Sequence, residues 1–210
     1  MFITDKICFV HLPRTGGSFT RHCLAALTDG HEDRRRPGAH NYPVKKLDQY
    51  TFGFIRNPFD WYVSWWSHMS RQQTLRNKPY KDCYSDDFNK FLNKFINKRD
   101  LKLTLRYGWL GHVDFKELYD RDMGVLTYLF EKMFRFNDKI FLFENLRSEL
   151  VNVLTEFHGA GDYSMVWNHN PLKKTTRGSW KEYYTPKSLD LVRRKDKKIF
   201  DFYEEMGSII

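Results

Sequence analysis

The short apolar run Ile7-Cys8-Phe9-Val10 and the turn after it constrain this chain more than any other feature. Four consecutive apolar residues read as a strand buried on both faces of a parallel sheet. Pro13 to Ser18 then breaks the pattern with Gly16 and Gly17, and a helical stretch from about Ser18 to Leu27 ends near Asp29-Gly30. A tight turn between a buried strand and a helix gathers backbone N–H groups at a helix N-terminus, where they hold an anion. Glycines let the backbone approach its oxygens, Thr15 and Ser18 add hydroxyls, and Arg14 adds a fixed charge.

The remaining elements repeat the alternation. Thr51 to Ile55 reads as a second buried strand and Lys139 to Phe143 as a third. Helical patterns follow at Phe59–His68, Asp86–Asn97, Val125–Phe134, about Leu146–Phe157, and Pro186–Glu205. The third-last of these precedes the last strand. In the Asp86–Asn97 helix, Phe88, Phe91, Leu92 and Phe95 share one face; in the closing helix Leu189, Val192, Ile199 and Phe202 point inward. Residues 31–43 and most of 158–185 read as loop, and 101–122 gives no clear pattern. The expected architecture is α/β: a P-loop-like three-layer fold whose short, mostly parallel central sheet is flanked by helices. With 210 residues and a hydrophobic fraction of 41%, the chain fits one domain over 1–210.

Composition narrows the partners. Lys plus Arg number 35 against 26 Asp plus Glu, a net charge of +9, which favours anionic ligands. No segment reaches the roughly 18 apolar residues of a membrane helix, and the start at Met1 lacks the features of a signal peptide. A soluble, cytoplasmic protein is the expectation. Cys8, Cys23 and Cys83 have no paired spacing, so they read as reduced thiols, and no metal-ligand cluster is evident.

The loop is not the G-x-x-x-x-G-K-S/T of nucleotide triphosphatases, since no lysine precedes Ser18. A second segment, Arg56-Asn57-Pro58-Phe59-Asp60-Trp61-Tyr62-Val63-Ser64, follows the second strand. It sets Arg56 at the carboxyl edge of the sheet, where ligands bind in open α/β folds, and Ser64 two turns into the next helix.

In this order the two segments resemble the PAPS-dependent sulfotransferase family, where PAPS is 3′-phosphoadenosine-5′-phosphosulfate. The first is similar to its 5′-phosphosulfate loop, P-K-S/T-G-G/T-S/T, and the second to its 3′-phosphate motif, R-N/D-P-x-x-x-x-x-S. Phe141 to Leu146 resembles the family's late F-E-D/N-L stretch, and Tyr184 to Tyr203 the closing helix of its carbohydrate-modifying branch. The resemblance implies PAPS as donor, without a metal, bound by Arg14, Thr15, Gly16, Gly17, Ser18 and Phe19 on the 5′ side and by Arg56 and Ser64 on the 3′ side. Arg14 replaces the family's lysine; it keeps the charge but is no compact proton donor.

Two further stretches carry finer resemblances. Lys173-Lys174-Thr175-Thr176 is similar to the R-K-T-T of heparan sulfate 2-O-sulfotransferases, whereas Arg177-Gly178 is similar to the R-K-G loop of cytosolic members. Lys174, Thr175 and Arg177 are the candidate donor contacts there. Gly38-Ala39-His40 stands where the 2-O enzymes carry a catalytic histidine, which makes His40 the candidate base beside Arg14; His11, His68 and His112 compete. The resemblance implies a hydroxyl-bearing small molecule or saccharide as acceptor, with a lipid, a small phenol or a peptide tyrosine as alternatives. Trp61, Trp65, Trp66, Tyr80 and Trp109 are rings able either to stack on a sugar or to fill the core. The contrasting readings are a metal-dependent small-molecule kinase, a basic nucleic-acid module built on Arg34-Arg35-Arg36, and a sulfotransferase fold that binds donor without transfer.

Overall fold

The computed structural model describes residues 1–33, 42–75, 84–97, 113–170 and 177–207. Among them the strands are β1 (Phe2–Ile3), β2 (Ile7–Val10), β3 (His31–Glu32), β4 (Tyr50–Ile55) and β5 (Lys139–Leu142). The helices are α1 (Gly17–Leu27), α2 (Pro58–Leu75), α3 (Phe88–Asn97), α4 (Phe115–Asp120), α5 (Val125–Met133), α6 (Leu146–His158), α7 (Ser164–Asn168), α8 (Pro186–Lys195) and α9 (Lys197–Glu205). The strands form one five-stranded sheet in the order β3-β1-β2-β4-β5. β2, β4 and β5 run parallel, with Val10 opposite Gly53 and Ile55 opposite Leu142. β1 is antiparallel to both its neighbours. This is the α/β class that the alternation predicts. The two strands at the β3 side of the sheet, β1 and β3, hold two residues each, too few to leave a periodic signal.

The chain divides into two compact units, Met1–Arg56 with Phe130–Lys174, and Asn57–Leu129 with Thr175–Ile210. In the first, one face of the sheet presents Phe9, Phe52, Phe54 and Phe141 to Phe19, Cys23 and Leu24 of α1 and to Leu146, Leu150 and Val153 of α6. Burial pushes the Cys23 thiol up to about 11, so it packs and does not react. Gly53 of β4 leaves room for the ring of Phe134, which would lie 2.5 Å from a Cβ at that position.

The second unit has an aromatic core. Trp61 stacks on Trp65 at 6.2 Å, Trp65 on Phe95 at 6.3 Å, and Phe91 on Phe95 at 5.2 Å. Trp61 and Trp65 are fully buried, so they are core rings rather than platforms for a sugar. Trp66 is half-buried and its indole N–H donates to the Ser85 carbonyl at 2.8 Å. Tyr80 and Trp109 lie outside the described residues.

The closing segment departs from the expected single helix: it is two, broken at Asp196. Thr185 and Ser188 form a capping box at the start of α8, with Pro186 in its first turn. Asp196 is fully buried and accepts hydrogen bonds from the Tyr62 hydroxyl at 2.6 Å and the Thr127 N–H at 2.8 Å. The Gly124 N–H meanwhile donates to the Lys195 carbonyl at 2.7 Å. Turning this carboxylate inward interrupts the helix, which explains why hydrophobic spacing alone misses the break.

Burial raises the Asp196 carboxyl to about 6, against the hydrogen bonds from Tyr62 and Thr127 and the nearby Lys195 charge, which pull it down. The folded state therefore holds this proton more tightly than the unfolded chain. The group's contribution to stability is complete below pH ~4 and falls as pH rises through about 6, by on the order of 3 kcal/mol. Asp196→Asn should flatten the stability profile across that window, as followed by chemical denaturation at stepped pH. An unchanged slope would remove Asp196 from the titration.

Candidate functional site

The strand–turn–helix of the first unit builds the candidate site. Val10 ends β2, and Gly16, which has no side chain to cap with, is the N-cap of α1 at φ 78°. The first N–H groups of α1 are thus left for another acceptor. Arg14 also takes a left-handed backbone, φ 67°, uncommon for a residue with a side chain. That strained turn lifts Arg14 and Ser18 into half-exposed positions, while Thr15 is buried and spends its hydroxyl on the Leu12 carbonyl at 2.7 Å. Thr15 therefore shapes the loop with its side chain and has only its N–H to offer a ligand.

Neighbouring residues fit the glycines tightly. A Cβ at Gly16 would lie 2.3 Å from Leu146 Cδ1 and 3.0 Å from Phe143 Cε2; one at Gly17 would lie 1.7 Å from His11 Cδ2. His11 is 5% exposed and stacks near Phe9, ring centroids 6.1 Å apart, so it is a wall of the loop. Phe19 is buried between the Arg147 guanidinium, 4.8 Å from its ring, and His169.

Parallel pairing of β2 with β4 brings Arg56 beside Arg14 at the carboxyl edge. Arg56, one residue beyond β4, donates from Nη1 to the Arg14 carbonyl at 3.2 Å. Its guanidinium lies 4.6 Å from the Phe143 ring centroid. Phe143 opens the single 3-10 turn Phe143–Asn145 that follows β5, so the F-E-N-L stretch supports both Gly16 and Arg56. The stretch thus has a packing role, which its local sequence does not signal and which emerges only with β5 paired beside β4.

In the second unit, Asn57 and Pro58 start α2. The Asn57 side chain accepts from the Asp60 N–H at 3.2 Å, an N-cap that accounts for the asparagine of the R-N-P triplet. Ser64 is 1% exposed on the second turn of α2. Arg177 forms an ion pair with Asp60. His40, His112, Lys173, Lys174, Thr175 and Thr176 lie outside the described residues, as do Arg34, Arg35 and Arg36. His68 is half-buried beside Trp65, ring centroids 5.7 Å apart.

A profile described as the sulfotransferase family matches residues 1–155, which takes in the loop, the R-N-P segment and the F-E-N-L stretch. The chain belongs to the sulfotransferase family. It is a transferase of sulfuryl groups, and its mostly parallel five-stranded sheet is consistent with a sulfotransferase fold. The match ends within α6, so Arg177 and the closing helices of this sulfotransferase lie beyond it. No curated protein and no solved structure matches the chain significantly. Among the described residues no helix is long and apolar enough to cross a membrane.

Proposed function

We propose that the protein transfers the sulfuryl group of PAPS to an acceptor hydroxyl by in-line displacement, with a sugar hydroxyl as the acceptor class. The observation that carries this reading is the contact between the two motifs: Arg56 donates to the carbonyl of Arg14 within the loop. The residues fit the donor. The uncapped start of α1, the half-buried Arg14 and Ser18, and the close backbone at Gly16 and Gly17 suit a 5′-phosphosulfate. Arg56 and Ser64, the two polar fixed positions of the second motif, take the 3′-phosphate; Lys174 and Thr175 of the late basic loop add donor contacts.

PAPS supplies an activated sulfuryl group whose leaving group is a phosphate. His40 takes the proton from the acceptor hydroxyl as its oxygen bonds to sulfur. Arg14 and the N–H groups of residues 15–18 stabilise the charge that collects on the departing phosphate oxygen. Positioning and charge stabilisation supply most of the rate, as in phosphoryl transfer. The Gly38-Ala39-His40 and Lys173–Thr176 stretches support a place in the carbohydrate-modifying, heparan sulfate 2-O-like branch.

Incubation with PAPS and a panel of saccharides, with release of the bisphosphate followed by chromatography, tests the proposal. His40→Ala should lower kcat by roughly 10²–10⁴-fold and leave donor affinity unchanged. Equal turnover in that variant would remove His40 as the base.

A further inference from the structure

Arg177 and Asp60 pair across 117 residues of sequence, and their side chains are only 11% and 21% exposed. The pair belongs to a wider clasp on the first turn of α2. The Phe59 ring stacks on Trp180 at 4.7 Å, and the Phe59 carbonyl accepts from the Tyr184 hydroxyl at 2.9 Å. Arg193 lies 5.7 Å from the same ring. Residues 177–184 are thereby fixed against the start of α2, and Arg177 is brought to one particular carboxylate.

The position of that carboxylate gives the pair its meaning. Asp60 and Ser64 are four residues apart on one helix, so they share a face with Cβ atoms about 5–6 Å apart. A carboxylate in a first turn suits the helix dipole. A bare one, a single turn from a hydroxyl that takes a phosphate, stands well inside the screening length of about 8 Å and repels the anion. We propose that Arg177 serves the donor site through Asp60, as the counter-charge that cancels this repulsion. It is a positioning residue and not a ligand of the nucleotide. The inference rests on the reading of Ser64 as a 3′-phosphate contact.

The test compares the affinities of 3′-phosphoadenosine 5′-phosphate and of AMP, which lacks the 3′-phosphate, in four proteins: wild type, Arg177→Gln, Asp60→Asn and the double variant. Arg177→Gln should weaken the bisphosphate by about tenfold or more and AMP by less than about threefold. Asp60→Asn alone should bind the bisphosphate at least as tightly as wild type. In the double variant the neutral asparagine has nothing left to cancel, and affinity should return to within about threefold of wild type. A double variant as weak as Arg177→Gln would overturn the proposal, because Arg177 would then touch the ligand itself. So would a loss of affinity in Asp60→Asn, which decides the matter even if Arg177→Gln fails to fold. Wild-type protein that binds the bisphosphate no better than AMP would overturn the donor reading, and the present inference with it.

Discussion

Gly17→Ala should lower the stability of the protein by about 3 kcal/mol and abolish donor binding. The new methyl carbon would stand 1.7 Å from His11 Cδ2 and 1.9 Å from Nε2, far inside contact distance. Overpacking in a filled interior costs about 1–3 kcal/mol, at times more. The upper end applies here, since His11 is buried beside Phe9 and has little room to swing away. Either the ring or the first turn of α1 must move, and a moved turn no longer aims its N–H groups at a phosphate. Urea unfolding measures the first effect. The companion variant Gly17→Ala/His11→Ala should recover much of the loss, because it removes the ring that the methyl group strikes. A Gly17→Ala protein within about 0.5 kcal/mol of wild type would show that the loop is looser than the structure has it.

Arg56→Ala should weaken 3′-phosphoadenosine 5′-phosphate by roughly 100-fold while changing the folding midpoint little. The guanidinium is held by the Arg14 carbonyl on one side and by the Phe143 ring on the other. Its side-chain freedom is thus already restricted before any ligand binds, and a charge-assisted hydrogen bond to phosphate of about 1.5–3 kcal/mol is realised with little loss. Truncation also frees the loop at Arg14. Arg56→Lys keeps the charge but lacks the fork that serves carbonyl and phosphate together, so an intermediate loss of about tenfold is expected. Displacement of a fluorescent nucleotide resolves the three proteins. An Arg56→Ala variant with wild-type affinity would detach the second motif from the donor.

The residues that declare the fold and the site are those whose signal is local. Ile7–Val10 and Thr51–Ile55 are short apolar runs bounded by turn formers, and they became the adjacent parallel strands β2 and β4 with little change of boundary. The loop glycines and the Arg56-Asn57-Pro58 triplet are legible because cap, proline and glycine positions follow from backbone chemistry. What escaped is what depends on distant partners. Asp196 breaks the closing helix because Tyr62 and Thr127 receive it, far away in sequence. Trp61 and Trp65 present the same helical spacing whether they face a ligand or a core, and only α3 beside them decides for the core. Phe143 reads as a strand residue, yet it leaves β5 to pack under Gly16 and Arg56. Asp60 lies at one of the unspecified positions of its motif, and nothing near it in sequence points to Arg177.

Donor recognition is tested most directly by calorimetric titration of the purified protein without added metal. The ligands are 3′-phosphoadenosine 5′-phosphate, ADP and AMP. The bisphosphate should bind tightly, and the two nucleotides that lack a 3′-phosphate should bind at least about tenfold more weakly. Equal affinity for all three, or none for any, would contradict the donor reading.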